Sequence, residues 1–306
     1  MQQGNSRGKG RGFRSLEGTL GKQMTCSIII VTYNSSSSIE ACLTPLLEMA
    51  DVEIVVVDND SKDGTAALLK ERFPSVTLIA LQDNIGFGRA CNIGVDASSG
   101  SFVLLLNPDA VASALAIRQF IAFFEKHPRA GIVGGRLVDP SGLPLQSMGD
   151  RPTVVRLVLE KPIEWVATRV NPSGVLRRTI GKYFAKFRLP QVAEPVDWVS
   201  GAALCCRRQA WNDTGGFDEN FFLYYEDVDL CLRAAQVGWE VWHVPAAVVF
   251  HHSGVSFAGN VNYQKRIYYA NQRYFFQKHQ GPVVASLVSL AQKLYCWRQS
   301  WVHHLS

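Results

Sequence analysis

Three apolar runs that each stop on a polar side chain limit what this chain can fold into. Ile28-Ile29-Ile30-Val31 gives way to Thr32-Tyr33-Asn34, and Ile54-Val55-Val56-Val57 to Asp58-Asn59. Phe102 through Leu106 gives way to Asn107-Pro108-Asp109. The runs are continuous, as strands covered on both faces require, rather than alternating. Helical stretches end near Met49, Phe73 and Ala97, and a third strand is expected over Val76 to Leu81. Strand and helix in alternation, joined by short loops, predict an α/β chain with a mostly parallel central sheet flanked by helices. In an open sheet of that kind ligands bind beyond the carboxyl ends of the strands, where Asp58 and Asp109 fall.

The rest of the chain frames this body. A helix is expected over about 111–126, a strand from Gly131 to Leu137, and another from Val196 to Cys206. Glu226 opens a helix that Gly238 closes, with Asp229 and Arg233 paired at i, i+4. Short strands at Trp239 to Val244 and Ala247 to Phe250 lead to His251 and His252. Between about 139 and 195 prolines recur and periodicity fades, which marks an insertion. Its basic-aromatic part, 177–188, suits either a solvated surface or an anionic membrane. Residues 258–306 read as a helical carboxy-terminal extension. In it 282–301 is amphipathic, to pack on the body or lie at a bilayer.

Composition excludes several classes. The net charge is +5, and residues 1–24 hold five cations against Glu17 alone. The remaining body, 25–257 and its extension, is close to neutral, which argues against a nucleic-acid partner. The basic segment 1–24 reads as a flexible tail. Seven cysteines without a CxxC pair fit a reducing, cytoplasmic compartment. No apolar run is long enough for a membrane span.

Four clusters carry chemistry. Asp109, at a strand end, can hold a divalent cation, and such a cation can hold a diphosphate. Asp58, at another strand end, can accept a hydrogen bond from a base N–H. Glu226-Asp227 begins a helix, and His251 follows a strand. Each has an ordinary alternative: an Asp after a strand serves turns and caps, and acidic residues suit a helix N-terminus. Asn84-x-Gly86-Phe87-Gly88 allows close backbone approach at a helix start, but it is not a GxGxxG after the first strand, so a dinucleotide site has little support.

Taken together, Val31-Thr32-Tyr33-Asn34, Val57-Asp58-Asn59-Asp60-Ser61-x-Asp63-Gly64-Thr65, Asn84-x-Gly86-Phe87-Gly88-x-Ala90-x-Asn92-x-Gly94, Leu106-Asn107-Pro108-Asp109 and the Gly215-to-Arg233 stretch resemble the inverting family 2 glycosyltransferases. The subgroup most alike is the bacterial rhamnosyltransferase-like enzymes of cell-surface glycan assembly. The resemblance covers about 25–257 and implies a GT-A fold with a Rossmann-like sheet.

It also implies roles. Thr32, Tyr33, Asn34, Asp58 and Asn59 would line the nucleotide pocket, with Asp58 reading a pyrimidine. Asn84, Arg89 and Asn92 would border the nucleotide and its phosphates. Asp109 would bind Mg²⁺ or Mn²⁺, with His251, or else His252, as second ligand. Asp227 would be the general base, and Trp198 and Glu226 would contact sugar or acceptor. Asn107 stands beside the donor where many relatives carry Asp, which implies a weaker metal site.

The expected partners are a nucleotide-sugar donor, dTDP-L-rhamnose or a UDP-hexose or UDP-galactofuranose, and a lipid-linked or polysaccharide acceptor. Peripheral contact with the inner face of the plasma membrane and an oligomer are compatible with this reading. A non-catalytic nucleotide-sugar-binding scaffold is the rival from another class, and a complete base-and-metal set speaks against it. A nucleotidyltransferase should carry a Gly- and Arg/Lys-rich loop after the first strand, where this chain has Tyr33-Asn34-Ser35.

Overall fold

The structure, a computed structural model, describes residues 26–158, 188–252 and 261–303. The basic segment 1–24 and nearly all of the 177–188 stretch lie outside those residues. Four strands form the parallel half of the sheet: β1 (Cys26–Thr32), β2 (Val52–Asp58), β3 (Thr77–Ala80) and β4 (Phe102–Leu106), in the order β3-β2-β1-β4. Helices α1 (Ile39–Leu47), α2 (Thr65–Arg72) and α3 (Phe87–Asp96) connect them. The continuous apolar runs are explained by two cores. Ile28 and Ile30 pack with Leu43 and Leu46 of α1, while Ile29 and Val31 pack with Ala90 and Val95 of α3. Each fully buried aliphatic side chain contributes about 1.5–3 kcal/mol relative to exposure. Gly94 lets α3 press on the sheet, since a Cβ there would lie 2.5 Å from Ile29 Cγ2.

The second half of the sheet is mixed. β10 (Ala203–Arg207) runs antiparallel between β4 and β6 (Ala130–Val138), and β11 (Glu240–His251) is parallel to β6. β5 (Ala110–Ala112) closes the far edge, antiparallel to β11, and β8 (Glu194–Pro195) adds to β11 near its start. β7 (Met148–Gly149) and β9 (Trp198–Val199) form a separate small sheet.

Three local expectations change. The helix expected from 111 starts at Ala114 as α4 (Ala114–Lys126), where the Ser113 side chain accepts from Ala116 N–H and acts as N-cap; β5 precedes it. The strand expected over 196–206 is broken by a turn, with Ala203 N–H donating to Ser200 carbonyl, so β9 and β10 are separate. The two strands expected at 239–250 are one strand whose register shifts between Val244 and Val248. Pro245, lacking an N–H, falls in that irregularity.

α5 (Arg208–Thr214) and α6 (Glu226–Gln236) follow β10. The chain then forms a helical hairpin, α7 (Val261–Gln280) and α8 (Pro282–His303), reversed at Gly281 with φ +88°. Phe275, Phe276, Ala285 and Val288 of the hairpin share a buried cluster with Phe221, Tyr225, Val228 and Leu232. Asp229, fully buried on α6, fastens the hairpin. Its carboxylate accepts from Arg233 Nε (2.7 Å) and lies 2.7 Å from both Lys278 Nζ and His279 Nε2. The helix, its stop at Gly238 and the Asp229–Arg233 pair are as the sequence spacing implied.

Candidate active site

A cavity of about 290 Å³ opens at the carboxyl ends of β1, β2 and β4. Tyr33, Asn59, Asn84, Asn107, Asp109 and His251 supply its polar wall, and Phe87, Phe222 and Tyr224 much of its apolar one. Asn59 is fixed by its own amide. Nδ2 donates to Asn84 Oδ1 (2.9 Å) and to the Gly86 carbonyl (3.2 Å), and Oδ1 accepts from Ile85 N–H (3.0 Å). This ties the loop after β2 to the loop before α3. Gly86 has φ +91°, and a Cβ there would meet the Phe222 carbonyl oxygen at 2.6 Å; Phe87 N–H donates to that same oxygen at 2.8 Å. Only glycine satisfies both demands.

Asp109 and His251 meet at one end of the cavity. Asp109 Oδ1 lies 3.2 Å from His251 Nε2, and that oxygen is buried with no hydrogen-bond partner among the described residues. Asn107 Nδ2 lies 3.3 Å from the same imidazole nitrogen. His252 turns away: it is exposed, and only its backbone N–H reaches Asp109, at the carbonyl, 2.9 Å. An orphaned buried carboxylate oxygen facing an imidazole nitrogen fits a divalent cation. Among the described residues no group of three or more His, Cys, Asp or Glu is placed for a metal. Two protein ligands with the rest from water and substrate phosphates is a common arrangement for Mg²⁺-type ions.

Asp227 is held one side chain away from the cavity. Its Oδ2 accepts from Gly201 N–H (2.8 Å) and its Oδ1 from Val228 N–H (2.8 Å). A Cβ added to Gly201 would lie 3.5 Å from Asp227 Oδ2 and 3.7 Å from the Phe87 ring, so Gly201 sits between the carboxylate and the cavity wall. Burial raises the Asp227 carboxyl above its ordinary range, and the two backbone donors pull it back. Neighbouring Glu226 is buried, with Oε2 unpartnered among the described residues. Burial first, and the Asp227 charge second, push it up to about 8. Burial thus raises both carboxyls, and Glu226, which lacks the backbone donors that Asp227 has, is the more strongly raised of the two. The turn that aims them is unusual, since Tyr224 and Tyr225 both have positive φ (73° and 74°).

The other residues singled out in the sequence lie nearby but are engaged elsewhere. Asp58 is buried and accepts from Thr32 Oγ1 (2.8 Å) and Ser61 Oγ (2.6 Å). Asn34, at φ 52°, bridges two loops: its N–H donates to Ser61 Oγ and its Oδ1 accepts from Lys62 N–H. Arg89 pairs with Glu219 at 3.1 Å on the surface. Asn92 clasps the Phe217 backbone through both amide atoms, 3.0 and 2.9 Å, well placed to hold the Gly215-Gly216 turn. Trp198 Nε1 donates to the Asp150 carbonyl (3.0 Å). None of these lines the cavity. Gln264, from α7, does line it and carried no signal in the sequence; Phe222 and Tyr224 lay within the quoted motif.

A profile described as "Glycosyl transferase family 2" matches residues 27–202. N-acetylglucosaminyl-diphospho-decaprenol L-rhamnosyltransferase of Mycobacterium tuberculosis is 32% identical over 242 residues, 75% of this chain and 76% of its own. Rhamnosyltransferase WbbL of Escherichia coli is 24% identical over 237 residues, 74% and 83% of the two chains. Among solved structures, mannosyltransferase PcManGT from Pyrobaculum calidifontis, in complex with GDP-Man and Mn²⁺, superposes with a TM-score of 0.50 at 20% identity over 83% of this chain. This chain spans 61% of that structure, and the likeness carries the fold, a GT-A arrangement.

Proposed function

The chain belongs to glycosyl transferase family 2, and from that premise we propose that it transfers L-rhamnose from dTDP-L-rhamnose, with inversion, onto a lipid-linked or polysaccharide acceptor. The observation that carries the reading is the Asp109–His251 pair, which meets at one end of the cavity. Asp227, outside the cavity lining, stands behind Gly201 near the Phe87 ring of its wall. The mycobacterial relative, named as an L-rhamnosyltransferase acting on N-acetylglucosaminyl-diphospho-decaprenol, favours this sugar and acceptor class.

In the proposed reaction the acceptor hydroxyl oxygen attacks the anomeric carbon. The bond from that carbon to the diphosphate oxygen breaks, and the nucleoside diphosphate leaves with the electron pair. Asp227 takes the hydroxyl proton. One displacement inverts the centre. Asp109 and His251 would hold Mg²⁺ or Mn²⁺, which supplies charge neutralisation at the departing diphosphate. Tyr33 and Asn59 border the donor cavity, and the locked Asn59–Asn84–Gly86 loop keeps its shape before the donor arrives. Asp58, held by Thr32 and Ser61, braces that wall from behind.

The test is donor turnover. Purified chain is incubated with dTDP-rhamnose and with UDP-hexoses and UDP-galactofuranose, with and without Mn²⁺ or Mg²⁺. A membrane lipid extract serves as acceptor source, and nucleoside diphosphate release is followed. Metal-dependent release from dTDP-rhamnose, lost in Asp227→Asn, is the expected result. Release from a UDP-sugar instead keeps the reaction and changes the donor. Tight donor binding with no release in the presence of a competent acceptor rejects catalysis in favour of a binding scaffold.

A further inference from the structure

The helical hairpin presents a face that the fold leaves open. α8 turns Ala285 and Val288 into the buried cluster shared with α7, while Val283, Leu287, Leu290 and Leu294 stand 73%, 52%, 55% and 57% exposed. Their spacing of four, three and four residues puts them on one stripe of the helix. In the sequence the same spacing continues at Trp297 and Trp301. Exposed aliphatic residues scattered singly need no explanation, but an ordered stripe does.

The charge around the stripe is one-sided. After Glu240 the chain contains no Asp or Glu, and it carries Lys265, Arg266, Arg273, Lys278, Lys293 and Arg298. Lys278 is committed to Asp218 and Asp229. Lys265, Arg266, Arg273 and Lys293 are exposed and have no ion-pair partner among the described residues. A groove of about 440 Å³ runs between α7 and α8, lined by Arg273 from one helix and by Lys293 and Leu290 from the other. Cationic heads beside an apolar stripe are what the boundary between acyl chains and anionic headgroups accepts.

We propose that α8 is a peripheral docking surface for an anionic phospholipid bilayer. Val283, Leu287, Leu290 and Leu294 enter the headgroup–acyl boundary, and Arg273 and Lys293 take lipid phosphate in the groove. The helix lies on the bilayer and does not cross it, because no helix among the described residues is long and apolar enough to span. A second copy of the chain is the main competing occupant, since a coiled-coil seam has the same spacing. Pairing two such faces would oppose cations on both sides with no carboxylate between them, whereas an anionic surface offsets the charge. Other parts of the chain are no better matched. Residues 1–24 are basic, and 159–187 carry Lys161, Arg169, Arg177, Arg178, Lys182 and Lys186 against Glu160 and Glu164.

The placement also matters for the site. α7 contributes Gln264 to the cavity wall, and Gln292 of α8 donates to the Tyr269 carbonyl of α7, so the open face and the cavity belong to one hairpin. The docking surface rests on exposure and charge alone, so its failure would leave the transfer reaction untouched.

The full chain would be mixed with vesicles of phosphatidylcholine and of phosphatidylcholine with phosphatidylglycerol, and the bound fraction read by co-sedimentation. Binding to the anionic vesicles only, falling as salt is raised, is expected. The double substitution Leu287→Asp with Leu290→Asp should lower partitioning by about tenfold or more. Should that variant fail to fold, Arg273→Gln with Lys293→Gln is the second probe, and it should weaken binding and flatten the salt dependence. Equal binding to both vesicle types, or no binding, overturns the proposal. So does binding that survives both variants and is lost only when residues 1–24 are removed, which assigns it to the tail. A vesicle-free dimer that the leucine substitutions abolish assigns the face to a second copy and also overturns it.

Discussion

Asp109 and His251 meet at 3.2 Å because β5 lies antiparallel on β11 with Ala110 opposite His251. The pairing delivers a histidine from the far end of the chain to a carboxylate that closes the parallel half of the sheet. The His252 N–H bond to the Asp109 carbonyl locks the register.

If this pair is the cation's protein ligand set, His251→Ala should raise the Mn²⁺ concentration needed for half-maximal activity by about tenfold or more, with the thermal midpoint little changed. His252→Ala should leave it unaltered. A metal titration of donor turnover, with calorimetric Mn²⁺ binding in the presence of nucleoside diphosphate, checks both.

Asp227→Asn keeps the shape and one of the two backbone hydrogen bonds, since its amide nitrogen cannot accept from a backbone N–H, and it removes the proton acceptor. Turnover should fall by about 10²- to 10⁴-fold while donor affinity, read by calorimetry, stays within about twofold. A parallel loss of donor binding would place Asp227 in the donor pocket and not on the acceptor.

Glu226 gives the protein a pH signature. Its folded-state pKa is raised, from 4.5 to about 8, so between those values the folded chain binds more protons than the unfolded one. Stability contributed by this group therefore falls as pH rises through that window. In urea titrations at pH 5 and pH 8, Glu226→Gln should lose less stability on going alkaline than the parent chain does. An identical pH slope in both would reject the buried, neutral state of this acid.

Acid should loosen the hairpin. Burial acts to raise Asp218, but bonds from Lys278 and Asn220 outweigh it and hold the carboxyl at about 2, below its ordinary 3.8. The stability it supplies is present above 3.8 and is lost as pH falls toward about 2. Asp229, depressed in the same direction against burial by His279, Arg233 and Lys278, adds to this. Asp229→Asn leaves Lys278, His279 and Arg233 short of their shared anion and should cost about 3–5 kcal/mol in a denaturant titration.

Gly86→Ala adds a methyl where the Phe222 carbonyl already stands, at a φ that favours glycine. It should destabilise by about 1–3 kcal/mol and weaken donor binding, measured by urea midpoint and by calorimetry.

The parallel half of the sheet was legible because its strands are buried on both faces. Residues such as Ile28 through Val31 must then be apolar at every position, and their endings expose the polar positions that matter. β5 was not legible. Three residues, Ala110 to Ala112, carry too little pattern to separate from the helix they precede, and only pairing with β11 makes them a strand. The antiparallel direction of β10 was hidden for a related reason, since a buried run reads the same in either direction. In the site, Asp109, His251, Asn59 and Asn84 were recognisable from motif and strand end, and the cavity gathers them. Asn92 illustrates what spacing cannot convey. A side-chain amide within a glycine-rich motif reads as a ligand contact, but here both its atoms are spent on Phe217. Gln264 gave no signal because a helix with polar residues on several sides does not reveal which one turns inward.

β10 has a consequence for how the chain comes into being. It fills the slot between β4 and β6, although it is made long after both. Until residue 207 has left the ribosome, β4 and β6 each hold an unpaired edge, and the parallel half waits with its hydrogen-bonding groups exposed. A nascent chain stalled between Val138 and Ala203 would be an adhesive intermediate, prone to pair with a neighbour on the same polysome. Late insertion of β10, followed by β11 on the other edge of β6, thus closes the edges through which the newborn protein could pair with its siblings.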